Sequence, residues 1–346
     1  MLSHSAAHVA GLSDGSHVIA ASENGTVTVC ETGEGGSLKE FGTGQRINAL
    51  SVHPFASLLA IMDGDMGTLK VIDFAGNVAA VHEHSGYPRS DVSWLQAGRV
   101  GCLFESTGTQ LWAAHTDEEG SIAIEVRQTD GWLCTVAAKL SDPFGESSCT
   151  LHGTPDPGRL LLWVAAGQDG QVFYELEQRG AEICITQLPE TLANTGPPAF
   201  SPDGSAALFP DGEGELLLAR FPGWDIADAF DEETTGIDFG LYAGFLDSGH
   251  ILASSHDDGR FWVFSLSRPA ECREIILEGH EPQPTSHYYP SLPDEGLVSD
   301  IYGFQRVGEA FVFLTHNLAQ EDTAGAHEIS IYAAETILRC LAAPQD

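Results

Sequence analysis

Ser13 stands in Gly-Leu-Ser-Asp-Gly at 11–15, which matches G-x-S-x-G, the turn that exposes a nucleophilic serine. That chemistry requires a strand, a sharp turn and then a helix within a parallel sheet. The residues on either side of Ser13 read as two short strands, so the segment is a Gly-rich connection. Acidic turns at Asp63–Asp65, Asp117–Glu119, Asp211–Glu215 and Asp257–Asp258 supply the oxygens that calcium prefers. None has the D-x-D-x-D-G spacing that converges several oxygens on one ion. Asp and Gly are also the residues that tight hairpins favour.

Histidines offer a different possibility. His280 and His287 lie in EGHEPQPTSHYYPSLPDEG (278–296), and His316 and His327 flank HNLAQEDTAGAH. Neutral imidazoles ligate zinc, but no H-x-x-x-H pairing fixes a geometry, and solvated or partner-contacting histidines are the simpler reading. No metal or cofactor is expected. Tyr288 and Tyr289 sit between prolines in a stretch with neither helical nor strand periodicity. Such rings either pack back onto a neighbouring strand or present an aromatic anchor to a partner. Seven scattered cysteines, never spaced CxxC, fit neither a disulfide framework nor a zinc knuckle.

Charge narrows the choice of partner. Fifty acidic residues face fifteen basic ones, a net of -35, with only three lysines (Lys39, Lys70, Lys139). Such a surface repels phosphate backbones, which excludes nucleic acid, and attracts basic protein surfaces in a salt-sensitive way. Solubility alone is the plainer explanation of the same charge. The opening residues lack a basic segment followed by an apolar core. The most apolar window, LLLWVAAG at 160–167, is too short to span a bilayer. A cytoplasmic protein, monomeric on its own and independent of membranes, is expected.

The elements that would carry these residues are repeated hairpins. HVIAASENGTVTVCE (17–31), LLAIMDGDMGTLKVID (58–73), QLWAAHTDEEGSIAIEV (110–126), LLLWVAAGQDGQVFYEL (160–176), SAALFPDGEGELLLARF (205–221) and HILASSHDDGRFWVFSL (250–266) each turn on a glycine. The turn glycines lie 42, 53, 50, 44 and 45 residues apart, close to the ~40–45 of a propeller blade. A seventh pair, AFVFLTH and HEISIYA, is joined by a longer loop. FWVF, apolar at every position, reads as a strand buried on both faces. Outer strands are expected at WLCTVAA (132–138), EICITQL (182–188) and ILRCLA (337–342), and inner strands at INALSV (47–52) and PAFS (198–201). For the third inner strand, DVSWLQAG (91–98) competes with VGCLFES (100–106). Four strands repeated seven times give an all-β, single-domain, seven-bladed propeller. The blades fall at about 6–42, 47–84, 91–140, 147–190, 197–232, 239–279 and 299–343. Blade one should open with its inner strand near His8–Leu12, with the termini meeting at the seam of blades one and seven and no swapped outer strand.

FSPDG at 200–204, ILASSHDDGRFWVFSL at 251–266, VID at 71–73, LEGH at 277–280 and VHP at 52–54 resemble WD40 repeats. No repeat closes its third strand with Trp-Asp; Asp73, preceded by Ile72, comes nearest, and His280 holds the Gly-His position. The resemblance implies a WD40-like propeller acting as a protein-binding platform. It also implies that blade-to-blade connections and second-to-third-strand turns share a face. The 278–296 and 316–327 insertions would then be neighbours, bringing His287, Tyr288, Tyr289, Glu321 and Asp322 to one rim with Asp231, Glu232 and Glu233. Tyrosines beside carboxylates suit an Arg-bearing partner. The expected function is a non-catalytic interaction module for a basic protein or peptide, with an inhibitory or immunity-type role against a basic enzyme as one specialisation. The alternative is a propeller enzyme, a metal-dependent hydrolase or lyase acting at the mouth of a central channel.

Overall fold

The computed structural model describes residues 8–32, 36–64, 66–84, 100–117, 119–145, 147–166, 170–211, 213–255, 260–275, 299–317 and 327–342. Seven antiparallel sheets follow one another along the chain. The first holds β1 (His8–Gly11), β2 (His17–Ala21), β3 (Thr26–Glu31) and β4 (Leu38–Gly42). The second holds β5 (Ala49–Val52), β6 (Leu58–Asp63), β7 (Thr68–Asp73) and β8 (Val78–Glu83). The third comprises β9 (Val100–Phe104), β10 (Gln110–Thr116), β11 (Ser121–Gln128) and β12 (Cys134–Ser141). The fourth comprises β13 (Ser148–Gly153), β14 (Arg159–Ala165), β15 (Gln171–Arg179) and β16 (Glu182–Gln187). The fifth is β17 (Ala199–Phe200), β18 (Ala206–Pro210), β19 (Leu216–Arg220) and β20 (Ile226–Phe230). The sixth is β21 (Phe239–Phe245), β22 (His250–Ser255), β23 (Phe261–Ser265) and β24 (Arg268–Ile275). The seventh is β25 (Ser299–Val307), β26 (Ala310–Asn317) and β27 (His327–Ala333). Each pairs its strands in chain order, the architecture of a seven-bladed β-propeller.

Two compact units divide between Ala193 and Asn194, the first holding sheets one to four and the second sheets five to seven. Within each, the period of two along a strand explains the packing, because alternate side chains serve opposite faces of a sheet. In β6, Leu59 and Ile61 enter one apolar cluster while Ala60 and Met62 enter the next. In β10, Leu111 and Ala113 join the cluster of Ala60 and Met62, and Trp112 and Ala114 join the cluster of Leu160 and Leu162. β22 divides likewise, with Leu252 on one side and Ile251 and Ala253 on the other. A strand between two such layers is apolar throughout, as FWVF suggests. Outer strands are exposed on one face or both, as in β12, where only Val136 is fully buried.

β9 begins at Val100 and pairs with β10, so VGCLFES supplies the third inner strand; 91–98 lies outside the described residues. β1 is the inner strand of the first sheet, as expected, whereas residues 1–6, on which the manner of closure turns, lie outside the described residues.

One assignment is corrected. ILRCLA forms no outer strand: it lies in helix α2 (Ala334–Ala342), which follows the short helix α1 (Glu232–Thr235) in the chain. The described part of the seventh sheet has three strands. The segment AETILRCLA is rich in helix formers, and Ala334, Ile337 and Leu338 stand at helical spacing and pack on Leu252, Phe261 and Phe313. Six residues read as ILRCLA conceal that spacing; nine reveal it.

Candidate functional site

Asp231, Glu232 and Glu233 lie where β20 leads into β21. Asp231 caps α1: its Oδ1 accepts from Thr234 N–H at 2.8 Å and Thr234 Oγ1 at 2.8 Å, and Thr234 Oγ1 in turn accepts from Asp231 N–H at 3.0 Å. These hydrogen bonds hold the Asp231 carboxyl below its ordinary range. Gly236 ends the helix in the left-handed region, and Cys272 Sγ on β24 reaches Thr235 O at 3.1 Å. Glu232 and Glu233 are exposed. The three carboxylates therefore differ: one belongs to the backbone and two face solvent.

The β18–β19 turn adjoins this connection. Phe239 N–H donates to Gly214 O at 3.1 Å, and a Cβ on Gly214 would lie 2.2 Å from Asp238 Oδ1. Gly214 has φ +106°, so glycine is required on both counts. Asp211 Oδ1 accepts from the amides of Glu213 and Glu215 at 2.8 and 2.9 Å, which fixes the turn. Glu213 and Glu215 remain exposed, so the turn that meets the end of this connection carries two further solvent-facing carboxylates. Between 211 and 238 the only basic residue is Arg220, at the other end of β19. Sequence reading singled out the 211–215 turn only as a calcium candidate; its contact with the 231–238 connection depends on pairing across the sheet.

His287, Tyr288, Tyr289, Glu321 and Asp322 lie outside the described residues, as does His280. His316 and His327 are direct cross-strand partners on β26 and β27. Ser13 occupies the β1–β2 turn with no helix after it, and its Oγ donates to Pro54 O at 2.8 Å. The leading aspartates of two described acidic turns serve their own backbones: Asp63 Oδ1 accepts from the Met66 amide at 3.2 Å, and Asp117 Oδ1 from the Glu119 and Ser121 amides, both at 2.9 Å.

A polar cluster that the sequence reading missed joins the second and third sheets. His84 and His115 stack with ring centroids 4.1 Å apart and planes tilted by 32°. Glu125 Oε1 lies 3.4 Å from His84 Nδ1, and its Oε2 accepts from Arg127 Nη2 at 2.6 Å. Arg127 Nη1 approaches His82 Nδ1 at 3.3 Å. Lys139 Nζ closes the group, 2.7 Å from Asp117 Oδ2 and 3.2 Å from Glu119 Oε2. Burial first, then the neighbouring His84, push His115 down to about 4, against the opposing pull of Glu125 and Asp117. Burial resists the charge on Glu125, but His84 and then Arg127 outweigh it and hold the carboxyl at about 2. Among the described residues, no three His, Cys, Asp or Glu groups are arranged to hold a metal ion. The visible signal was His115 itself, a lone ionisable residue inside the apolar run QLWAAHT.

No protein-family model matches the chain, and no curated protein matches it. Among solved structures it is similar to the β-propeller domain of Cps50 (Swd1) from Myceliophteria thermophila. The two share 14% identity over 96% of this chain and 97% of that one, with a TM-score of 0.59. Among the described residues, no helix is long and apolar enough to cross a membrane. Matches extend to 1467 chains, so the likeness marks an architecture and singles out no activity. The chain has the fold of a WD40-like seven-bladed β-propeller.

Proposed function

We propose that this chain is a non-catalytic interaction module that engages a basic protein or peptide through an acidic rim. One observation carries the reading: the β18–β19 turn and the β20–β21 connection meet and present Glu213, Glu215, Glu232 and Glu233 to solvent. Propellers of the WD40 kind typically serve as protein-interaction platforms, which agrees with it. Four carboxylates on adjoining backbones favour a guanidinium-bearing surface, and the net charge of -35 steers it there. Tyr288, Tyr289, His287, Glu321 and Asp322 belong to the proposed face as its aromatic and further acidic components. Asp231 is reassigned within it: the carboxylate holds α1 in place, and its neighbours make the contacts.

Affinity capture from native lysate, with wild type and the Glu232→Lys, Glu233→Lys variant in parallel, tests the reading. Basic proteins recovered by wild type and depleted in the variant support it. An identical set from both would contradict it.

A further inference from the structure

The opposite ends of the strands in sheets two and three carry a second surface, within the first unit. Three large apolar side chains stand out to solvent there: Phe55 at 69% exposure, Val78 at 55% and Leu133 at 72%. They come from three separate segments, the β5–β6 turn, the start of β8 and the β11–β12 turn. Antiparallel order places those segments at the same end.

Side-chain contacts connect Phe55 with Leu133. Phe55 N–H donates to His53 Nδ1 at 3.1 Å, the His53 ring lies 5.1 Å from Phe104, and Phe104 meets Trp132 edge-on at 6.3 Å. Trp132 has φ +59°, a conformation that costs a non-glycine residue energy and fixes the turn that projects Leu133. Arg127 Nη1 touches both His82 Nδ1, at 3.3 Å, and Trp132 O, at 3.2 Å. That guanidinium sets β8 against the Trp132 turn; the register shift in β8 puts Val78, opposite Ile72, on the other face from His82, opposite Leu69, so Phe55 and Leu133 are the two anchors of this surface. The result is a row of rings with an exposed apolar side chain at each margin. Gly108 keeps the row open, because a Cβ there would lie 2.5 Å from His53 Cε1.

We infer that this surface docks an amphipathic basic segment of another protein. Its apolar side chains fill the role of anchors, since exposed large side chains on a rigid aromatic base lose little freedom on binding. Charge decides the occupant. Arg127 is already paired with Glu125 at 2.6 Å, whereas Asp130, in the same turn as Leu133, is exposed. A second copy would bring a further -35 to the contact, and like charge opposes it; a segment alternating Leu with Lys or Arg matches both the anchors and the rim. The surface is separate from the acidic rim of the proposed function, and neither depends on the other.

The test uses the full chain and a short fluorescein-labelled Leu/Lys amphipathic peptide, with its Leu/Glu counterpart, read by anisotropy. Wild type should bind the Leu/Lys peptide at least about ten-fold more tightly than the Phe55→Ser, Leu133→Ser variant. Glu232→Lys with Glu233→Lys should leave that ratio unchanged, and the Leu/Glu peptide should not bind. Because both serines replace exposed groups, the melting midpoint should hold; Leu133→Ser alone, expected to lose about three-fold, serves if the double variant does not fold. Equal affinity of wild type and variant would overturn the inference, reducing the binding to net charge. Sedimentation showing self-association of wild type that the variant lacks would overturn it in favour of a second copy.

Discussion

The two units fill one repeat with different chemistry. In the second, Phe209, Phe230, Phe239, Phe245, Phe261, Phe264, Phe311 and Phe313 are among the largest fully buried side chains, while the first contributes Trp112, Phe173, Ile19 and Ile47 to that group. Edge-on contacts recur in the second unit, as between Phe261 and Phe313 at 5.0 Å and Phe313 and Tyr332 at 5.4 Å. The first unit relies on aliphatic layers and admits imidazoles: His84 and His115 stack between sheets, and burial pushes His152 down to about 4. A repeating backbone therefore fixes where side chains meet without fixing what they are. Among the described residues, the buried side chains of the second unit include no ionisable group; those of the first do.

The largest effect expected from this contrast is in the second unit. Phe264 lies between Phe230 at 5.4 Å and Phe239 at 5.6 Å, so Phe264→Ala should cost about 3–5 kcal/mol through lost burial and the cavity left behind. Urea unfolding across pH 4.5–7.5 should give the same loss throughout, as no titrating group is removed. A loss that changes with pH would break the contrast.

Acid should act on the first unit instead. His115 has its folded value depressed to about 4, below the ~6.5 of an unfolded chain. Stability from the neutral ring is therefore complete above about pH 6.5 and is lost as pH falls toward 4. For this single site the loss approaches ~3 kcal/mol. His115→Gln should flatten the decline in urea midpoint over that window. An unchanged slope would show that the pair does not hold the seam. Below it, the carboxyl of Glu125, depressed to about 2, contributes stability that is present above its unfolded value near 4.3 and fades as pH falls toward 2.

Within the second unit, the three carboxylates at 231–233 should separate in thermal melts. Asp231→Ala removes the α1 cap and should lower the midpoint. Glu232→Lys and Glu233→Lys, made on exposed side chains, should barely move it. A midpoint that falls equally in all three would mean that the rim is structural.

Much of the fold was legible because the hairpins announce themselves. Turn glycines at 25, 67, 120, 170 and 214 all take positive φ, and each sits between apolar runs. The final helix was not legible from ILRCLA, because its helical spacing begins at Ala334, before the window read. The site was legible only in part. Asp231, Glu232 and Glu233 could be found as a charge run, but a sequence does not distinguish a capping carboxylate from a free one. Nor does it show that Gly214 touches the 231–238 connection, or that Glu125 closes on His84 from another sheet; those contacts join residues 24 and 41 positions apart. Tyr288 and Tyr289 keep the expectation attached to them: their joint replacement by Ala should weaken a recovered complex by about 2 kcal/mol or more.

The most direct test of the acidic rim is stopped-flow association of a captured basic partner with wild type and with the Glu232→Lys, Glu233→Lys variant, at low and high salt. The account predicts association slowed by about ten-fold at low salt in the variant, a gap that narrows at high salt, and a dissociation rate that stays nearly constant. Equal association rates and equal salt dependence, with both proteins folded, would contradict it.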